Sequence, residues 1–309
     1  MGILEKLRIR LNRAGIKPST RRGQNFLLDA NHLAFMVETA RLGPNDVVLE
    51  VGPGSGLLTR RLALTGCLVL AVELDRGLLP LAVEETAGLP NVFFLQGDIL
   101  AGKNAINPEI LEKLAELLGI KRLLLAGEAV EGRCAALKCV SNLPYSAGTP
   151  FVMNLLSSRL PWHTGVFLLQ REVAERICAR PGGKDYGALS IGSALASAPA
   201  VERIVQPNCF WPRPNVESAV VRMEFLPPAE RLALPWAGMR RIASAVFGSR
   251  RKILKNALKG VFASREPGDV LAEAGLDPSC RGETLTPAEF AKLGMLWEAE
   301  PGKREGRAR

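Results

Sequence analysis

Three groups of residues have types and spacing suited to chemistry. Gly52, Gly54 and Gly56 alternate in VVLEVGPGSG (Val47 to Gly56). Glycine adopts backbone angles closed to other residues and lets a ligand approach the main chain. Two acids end apolar stretches: Glu73 in CLVLAVELD and Asp98 in NVFFLQGDIL. A carboxylate at the tip of the second strand can accept both hydroxyls of a ribose. Asp98 is of the type that binds an adenine amino group, with an N-cap or turn as its simpler role. The third group is SNLPYS (Ser141 to Ser146). The Asn142 side-chain oxygen and the Leu143 carbonyl are acceptors, Pro144 stiffens the turn, and Tyr145 offers a face on which a base can stack. An adenine amino nitrogen is a poor nucleophile because its lone pair is delocalised into the ring. Acceptors aimed at its N–H groups counter this. A type I turn with a packed Tyr is the plainer reading of the tetrapeptide alone.

The spacing GxGxG differs from the dinucleotide pattern GxGxxG, and the ending that a phosphate loop needs is missing. These features favour a nucleoside ligand without a pyrophosphate, and S-adenosylmethionine (SAM) fits best. The two histidines, His32 and His163, stand near no Ser or Cys nucleophile pattern, which leaves little support for a hydrolase with a histidine base. Six cysteines (67, 134, 139, 178, 209 and 280) form no CxxC pair and read as reduced buried thiols, so no metal is implied.

The elements that must position these residues follow from periodicity and breakers. Residues 2 to 14 read as a basic amphipathic helix or arm, broken by Pro18 and Ser19. GQNFLLD leads into a helix over Ala30 to Arg41, with Asp29 as its N-cap. Strands are expected at Val47 onward, Cys67 to Asp75, Asn91 to Leu100, Leu137 to Val140, Trp162 to Leu169 and Ala200 to Val205. Helices alternate with them at Leu57 to Thr65, after Asp75 to Thr86, at Thr149 to Ser157 and at Gln170 to Arg180. Residues 102 to 132 read as an extra surface helix. FWPRPNVESAVVRMEF (Phe210 to Phe225) reads as a Pro-rich loop becoming a last strand, and only helices are expected beyond Pro227-Pro228. The expected fold is therefore α/β: a Rossmann-like, nucleoside-binding sheet with a small all-helical C-terminal domain. The expected domains are 1–226, with the N-terminal basic arm, and 227–309.

A hydrophobic content of 47% supports a sizeable core, and no apolar run reaches membrane-spanning length. Residues 1 to 22 lack the apolar centre of a signal peptide, so a soluble cytoplasmic protein is expected. The net charge of +9 suits a polyanionic partner. Residues 231 to 260 contain no acid, and Arg250, Arg251, Lys252 and Lys255 within them read as phosphate contacts. One basic cluster is most simply a solvated face; a second cluster, in residues 1 to 22, shifts the balance toward nucleic acid.

Taken together, GQNFL, LEVGPGSGLLT, VELD, GDIL, SNLPY, LLQREVAERI, PNCFWPRPNVESAVV, VFGSRRKILKNAL and RGETLTPAEFAKL resemble the rRNA adenine N6,N6-dimethyltransferase family, from about Gly23 to Leu293. The resemblance implies a class I SAM-dependent methyltransferase sheet, with SAM contacts at Asn25, Leu27, Gly52, Glu73, Asp98 and Asn142; Gly54 of the glycine turn is a further expected contact. It implies that Tyr145 and Phe210 sandwich the target base beside Asn142, Leu143 and Pro144. It also implies dimethylation of two adjacent adenosines in a hairpin loop near the 3′ end of small-subunit rRNA, linked to small-subunit biogenesis. The partners would be that rRNA and the immature small subunit, gripped with the help of the helical domain by a monomer without a metal. Two features depart from the family: a longer interval between Asp98 and Asn142, and the lack of a Gln in IGSALAS. Competing readings are an Erm-type large-subunit rRNA methyltransferase, a non-catalytic ribosome assembly factor on this fold, and an N6-adenine DNA methyltransferase, whose loop usually has Pro where this chain has Leu143. An NAD(P) oxidoreductase is disfavoured by glycine spacing.

Overall fold

The computed structural model describes residues 2–18, 24–102, 105–119, 136–144 and 147–300. Tyr145, Ser19 of the N-terminal break, Gly23 of GQNFL, the later half of the 102–132 segment and the basic tail after residue 300 lie outside the described residues. Contacts divide the chain into two compact units, Met1–Ala174 with Ala198–Pro228, and Glu175–Ser197 with Ala229–Arg309.

The first unit is built on a seven-stranded sheet. Its parallel part comprises β2 (Val47–Val51), β3 (Leu68–Glu73), β4 (Val92–Gln96), β5 (Leu137–Asn142) and β6 (Trp162–Gln170), in the spatial order β4-β3-β2-β5-β6. Every residue of β2 is buried, as a central parallel strand covered on both faces requires. β9 (Ser218–Phe225) runs antiparallel to β6, and β7 (Ser197–Val205) lies at the edge beyond it. Two short strands, β1 (Phe26–Leu27) and β8 (Phe210–Trp211), pair separately and antiparallel.

Helix α1 (Ile3–Arg13) precedes β1, and α2 (Ala30–Ala40) follows it. Asp29 caps α2: one carboxylate oxygen accepts from the Asn31 and His32 N–H groups at 2.9 and 3.0 Å. Leu33, Met36 and Ala40 of α2 and Leu58 and Leu62 of α3 (Leu57–Ala63) close one face of the sheet over Val48, Val69, Val140 and Val166. Helix α4 (Leu79–Glu85) follows β3.

The second unit is helical. Trp236–Phe247, Pro267–Ala274 and Pro287–Glu298 bury Ile242, Val246, Val270, Leu271, Phe290 and Leu293 around Tyr186, whose hydroxyl donates to the Leu285 carbonyl at 2.9 Å. A Cβ on Gly238 would fall 2.2 Å from the Gly294 carbonyl oxygen, so two of these helices touch backbone to backbone.

The structure departs from the sequence reading in four places. The helix within 102–132, α5 (Pro108–Leu117), is not simply superficial: Ile110, Leu114 and Leu118 recur at helical spacing and are buried, and the helix packs on β2 and β3. Ala188–Ala196 is a helix where none was expected; its small residues carry no amphipathic pattern. Residues 175–197 group with the helical unit, although the expected division kept them with the sheet. The basic run at 250–255 lies on a turn leading into the short helix Leu254–Ala257, because the preceding helix ends at Gly248.

Candidate active site

A cavity of about 680 Å³ opens in the first unit at the C-terminal ends of β2 to β5, where ligands of open α/β sheets bind. Its floor is the glycine turn. Gly54 has φ +56°, in the left-handed region, and a Cβ there would lie 3.1 Å from the Phe26 ring. Gly56, at φ +82°, leaves no room for a side chain because α4 approaches to 2.8 Å from where its Cβ would stand. The turn is thus fixed by conformation and by packing.

Glu73 ends β3 on this cavity, 5% exposed. Its Oε2 accepts from the Gly54 N–H at 3.0 Å and its Oε1 from the Asp75 N–H at 2.9 Å. Burial pushes the carboxyl above its ordinary value, and the N–H groups of Asp75 and Gly54 pull it back. Each oxygen keeps acceptor capacity, so the group fits a ribose diol. Asp98 also lines the cavity, yet one of its oxygens accepts from the Leu100 N–H at 2.9 Å, so the turn role is realised.

Asn142 ends β5. Its Nδ2 donates to the Asn25 carbonyl at 3.1 Å, which leaves Oδ1 as an acceptor with no partner among the described residues. The preceding Ser141 is fully buried, and its hydroxyl accepts from the Val51 N–H at 2.9 Å, tying this loop to the glycine turn. The Leu143 N–H donates to the Leu168 carbonyl at 3.1 Å while its side chain packs inward at 2% exposure. Pro144 lines the cavity, and its carbonyl accepts from the Ala147 N–H at 2.9 Å, closing the turn. A Cβ on Gly52 would meet Pro144 at 3.4 Å. Asn25 and Leu27 form part of the cavity wall.

Phe210 is 5% exposed, pairs with Leu27 across the β1–β8 sheet and packs into the apolar cluster with α2; its partner Leu27 lines the cavity and Phe210 stands behind it. The Phe210 pairing brings Leu27 to the cavity, a register that the sequence of either segment alone does not reveal.

Sequence reasoning missed Glu50. It is 1% exposed, borders the cavity, and its Oε2 has no hydrogen-bond partner among the described residues. Burial raises its carboxyl to about 8; the Thr59 hydroxyl lowers it and the Glu73 charge adds to the rise. A single charged residue inside an apolar strand was the available signal. Phe26 was also missed, hidden in GQNFL between two residues given roles.

In the helical unit, Arg251, Lys252 and Lys255 are exposed. Arg250 is half-buried: its guanidinium donates to the Lys184 carbonyl at 2.8 Å and to the Tyr186 carbonyl, and lies 5.1 Å from the centre of the Phe247 ring, while keeping its charge. It fastens this unit's fold.

The ligand atoms of Asp29, His32 and Cys209 lie within 4.8 Å of one another. One Asp29 oxygen is engaged in the helix cap, and burial together with the Asp29 charge raises the Cys209 thiol above its ordinary value, against the thiolate that a metal needs. Cys67 and Cys139 are buried, while Cys178, Cys209 and Cys280 are half-buried; these five are free thiols.

A model of the family "Ribosomal RNA adenine dimethylase" matches residues 16–293. The chain is 40% identical over 280 residues to "Ribosomal RNA small subunit methyltransferase A" of Moorella thermoacetica, covering 90% of this chain and 92% of the relative. It is 38% identical over 290 residues to the protein of the same description from Pelotomaculum thermopropionicum, covering 92% of each. Among solved structures, a dimethyladenosine transferase from Plasmodium falciparum shares the fold with a TM-score of 0.66 at 21% identity, covering 86% of this chain and 94% of that one. The 23S rRNA methyltransferase ErmE does so with a TM-score of 0.59 at 24% identity, covering 89% of this chain and 100% of that one.

Proposed function

The chain belongs to the ribosomal RNA adenine dimethylase family and is a SAM-dependent rRNA methyltransferase; we propose that it dimethylates N6 of two adjacent adenosines in a hairpin loop near the 3′ end of small-subunit rRNA. The small-subunit choice is supported by the description of its relatives. The reading extends to the immature small subunit as substrate and to a cytoplasmic monomer that needs no metal. Among the described residues no helix is long and apolar enough to cross a membrane.

The observation that carries the chemistry is the orientation of Asn142, whose Nδ2 is spent on the Asn25 carbonyl so that Oδ1 is left as an acceptor. SAM supplies an electrophilic methyl group on a sulfonium. Glu73 would hold the ribose, and Gly52 and Gly54 give the cofactor close access to the main chain. Asn25, Leu27 and Asp98 complete the wall of the cavity. The Asn142 oxygen and the Leu143 carbonyl would accept the two N6–H bonds, turning the nitrogen lone pair out of conjugation, while Pro144 holds both acceptors in place. No strong base is required, since N6 loses its proton readily once it carries positive charge. Rate then comes from positioning and from acceptors fixed before the reaction. The base must leave its stack, which costs least in an unpaired loop. Tyr145 and Phe210 remain the proposed pair of stacking faces for the base. Arg250, Arg251, Lys252 and Lys255 would contact phosphates, Arg250 while also bonded within its own unit.

Single-turnover methylation with both ligands saturating tests this reading. Asn142→Ala should lose about 10²–10³ in rate, the usual cost of removing a fixed polar group at a reacting atom, while RNA binding holds. Near-parental rates would remove Asn142 from the chemistry.

A further inference from the structure

The N-terminal basic segment reads as an RNA arm, yet one of its arginines is committed elsewhere. Arg10 on α1 is only 15% exposed as a side chain and reaches Glu84 at 3.1 Å, Glu85 at 2.7 Å and the Leu81 carbonyl. All three acceptors belong to α4. Glu84 and Glu85 stand at its C-terminal end, where the helix dipole disfavours carboxylates and favours a cation. One guanidinium therefore answers two acids and a backbone carbonyl at once, a geometry suited to the planar fork of arginine.

The clamp holds α1 against the cofactor cavity. Leu7 and Leu11 are buried against Phe26, Leu78 and Leu81. Phe26 and Leu78 line the cavity, and the Phe26 ring lies over Gly54, whose N–H donates to Glu73. On the same helix the Arg8 guanidinium lies 5.1 Å from the centre of the Trp211 ring, and Trp211 pairs with Phe26 across the β1–β8 sheet. An isolated helix of eleven residues is marginal in water, so α1 persists through this docking.

We propose that Arg10 is a positioning residue for the cofactor: its clamp to Glu84 and Glu85 holds α1 as a buttress behind Phe26, and thereby sets how fast SAM and its demethylated product leave. This rests on the cavity being the SAM site. Loosening the clamp populates a state in which Phe26 no longer braces the glycine turn, and apparent affinity falls by the fraction of chains so loosened.

The test is Arg10→Met, which keeps the packed stem and removes the charge, with Arg13→Met as a matched control on the exposed side of the same helix. SAM affinity is read by calorimetry and product release by stopped flow. Arg10→Met should bind SAM roughly tenfold more weakly, about 1.4 kcal/mol, with faster release. The KM for SAM should rise, while kcat at saturating SAM is unchanged or higher. Arg13→Met should match the parent. The paired variant Glu84→Gln with Glu85→Gln should reproduce the effect, and it decides the matter should Arg10→Met fail to fold. Parental release from either folded variant would overturn the proposal. Failure of the parent protein to bind SAM would instead overturn the reading of the cavity.

Discussion

Replacing Glu50 with Gln tests the electrostatics of the cavity floor through the pH dependence of stability. In the folded protein the Glu50 carboxyl keeps its proton up to about 8, whereas its ordinary value is 4.5. Between these values the folded chain holds a proton that the unfolded chain has released. Stability must therefore fall as pH rises, by about 1.4 kcal/mol per pH unit for one proton. The contribution of the neutral carboxyl is complete below 4.5 and is lost as pH rises through about 8. Over the whole window this is on the order of 5 kcal/mol, an upper bound because relaxation and water entry soften the penalty of a buried charge. Glu50→Gln keeps the shape of the neutral side chain and removes the titration. Urea denaturation of parent and variant from about pH 5 to about pH 9 cancels, in the difference, the titrating groups that do not interact with Glu50; Glu73 is the one named neighbour that does. The stability of the variant relative to the parent should climb by a few kcal/mol across that range. Parallel curves would refute the assignment of a buried, neutral Glu50.

Glu73→Ala should weaken SAM binding by at least about tenfold, since charge-assisted hydrogen bonds to the ribose are worth about 1.5–3 kcal/mol each; calorimetry on the folded variant checks this. Because burial raises the Glu73 carboxyl, parental SAM affinity should also fall as pH is lowered through that raised value, and Glu73→Gln should abolish the dependence. Changing Arg251, Lys252 and Lys255 to Gln should weaken RNA binding and reduce its salt slope by roughly 0.7–0.9 for each phosphate no longer neutralised, leaving SAM affinity intact; an unaltered slope would make these residues a solvated face. Gly238→Ala should destabilise the helical unit by about 1–3 kcal/mol through overpacking against Gly294, and a parental melting temperature would contradict that backbone packing.

What could be read from the sequence was local. The glycine turn, the acid at the tip of β3 and the Asn-Leu-Pro turn each announce themselves within a few residues, because strand ends and turns are set by short-range sterics. The parallel strands followed from short, mostly apolar runs. What escaped depends on the meeting of distant segments. Nothing in FL or FW alone specifies that Leu27 pairs with Phe210, a pairing that joins segments far apart in the chain. Arg250 looks like its basic neighbours until the fold brings the Lys184 and Tyr186 carbonyls to it. Asp98 carries two readings, and the turn hydrogen bond to Leu100 occupies one oxygen while the other is left for a ligand. Ala188–Ala196 is helical, yet its large apolar residues, Leu189, Ile191 and Leu195, do not recur at a regular helical spacing among Ala, Ser and Gly. Within the 102–132 segment, Pro108–Leu117 does show an apolar face, but only the folded chain reveals that β2 and β3 receive it.

The most direct measurement is incubation of the protein with labelled SAM and either immature small subunits or naked small-subunit rRNA, followed by mapping of the modified nucleotides. The account predicts N6,N6-dimethyladenosine at two adjacent positions of one hairpin loop near the 3′ end, formed by the parent and nearly abolished by Asn142→Ala. Label confined to large-subunit rRNA, or no transfer to any rRNA by a protein that binds SAM, would contradict it.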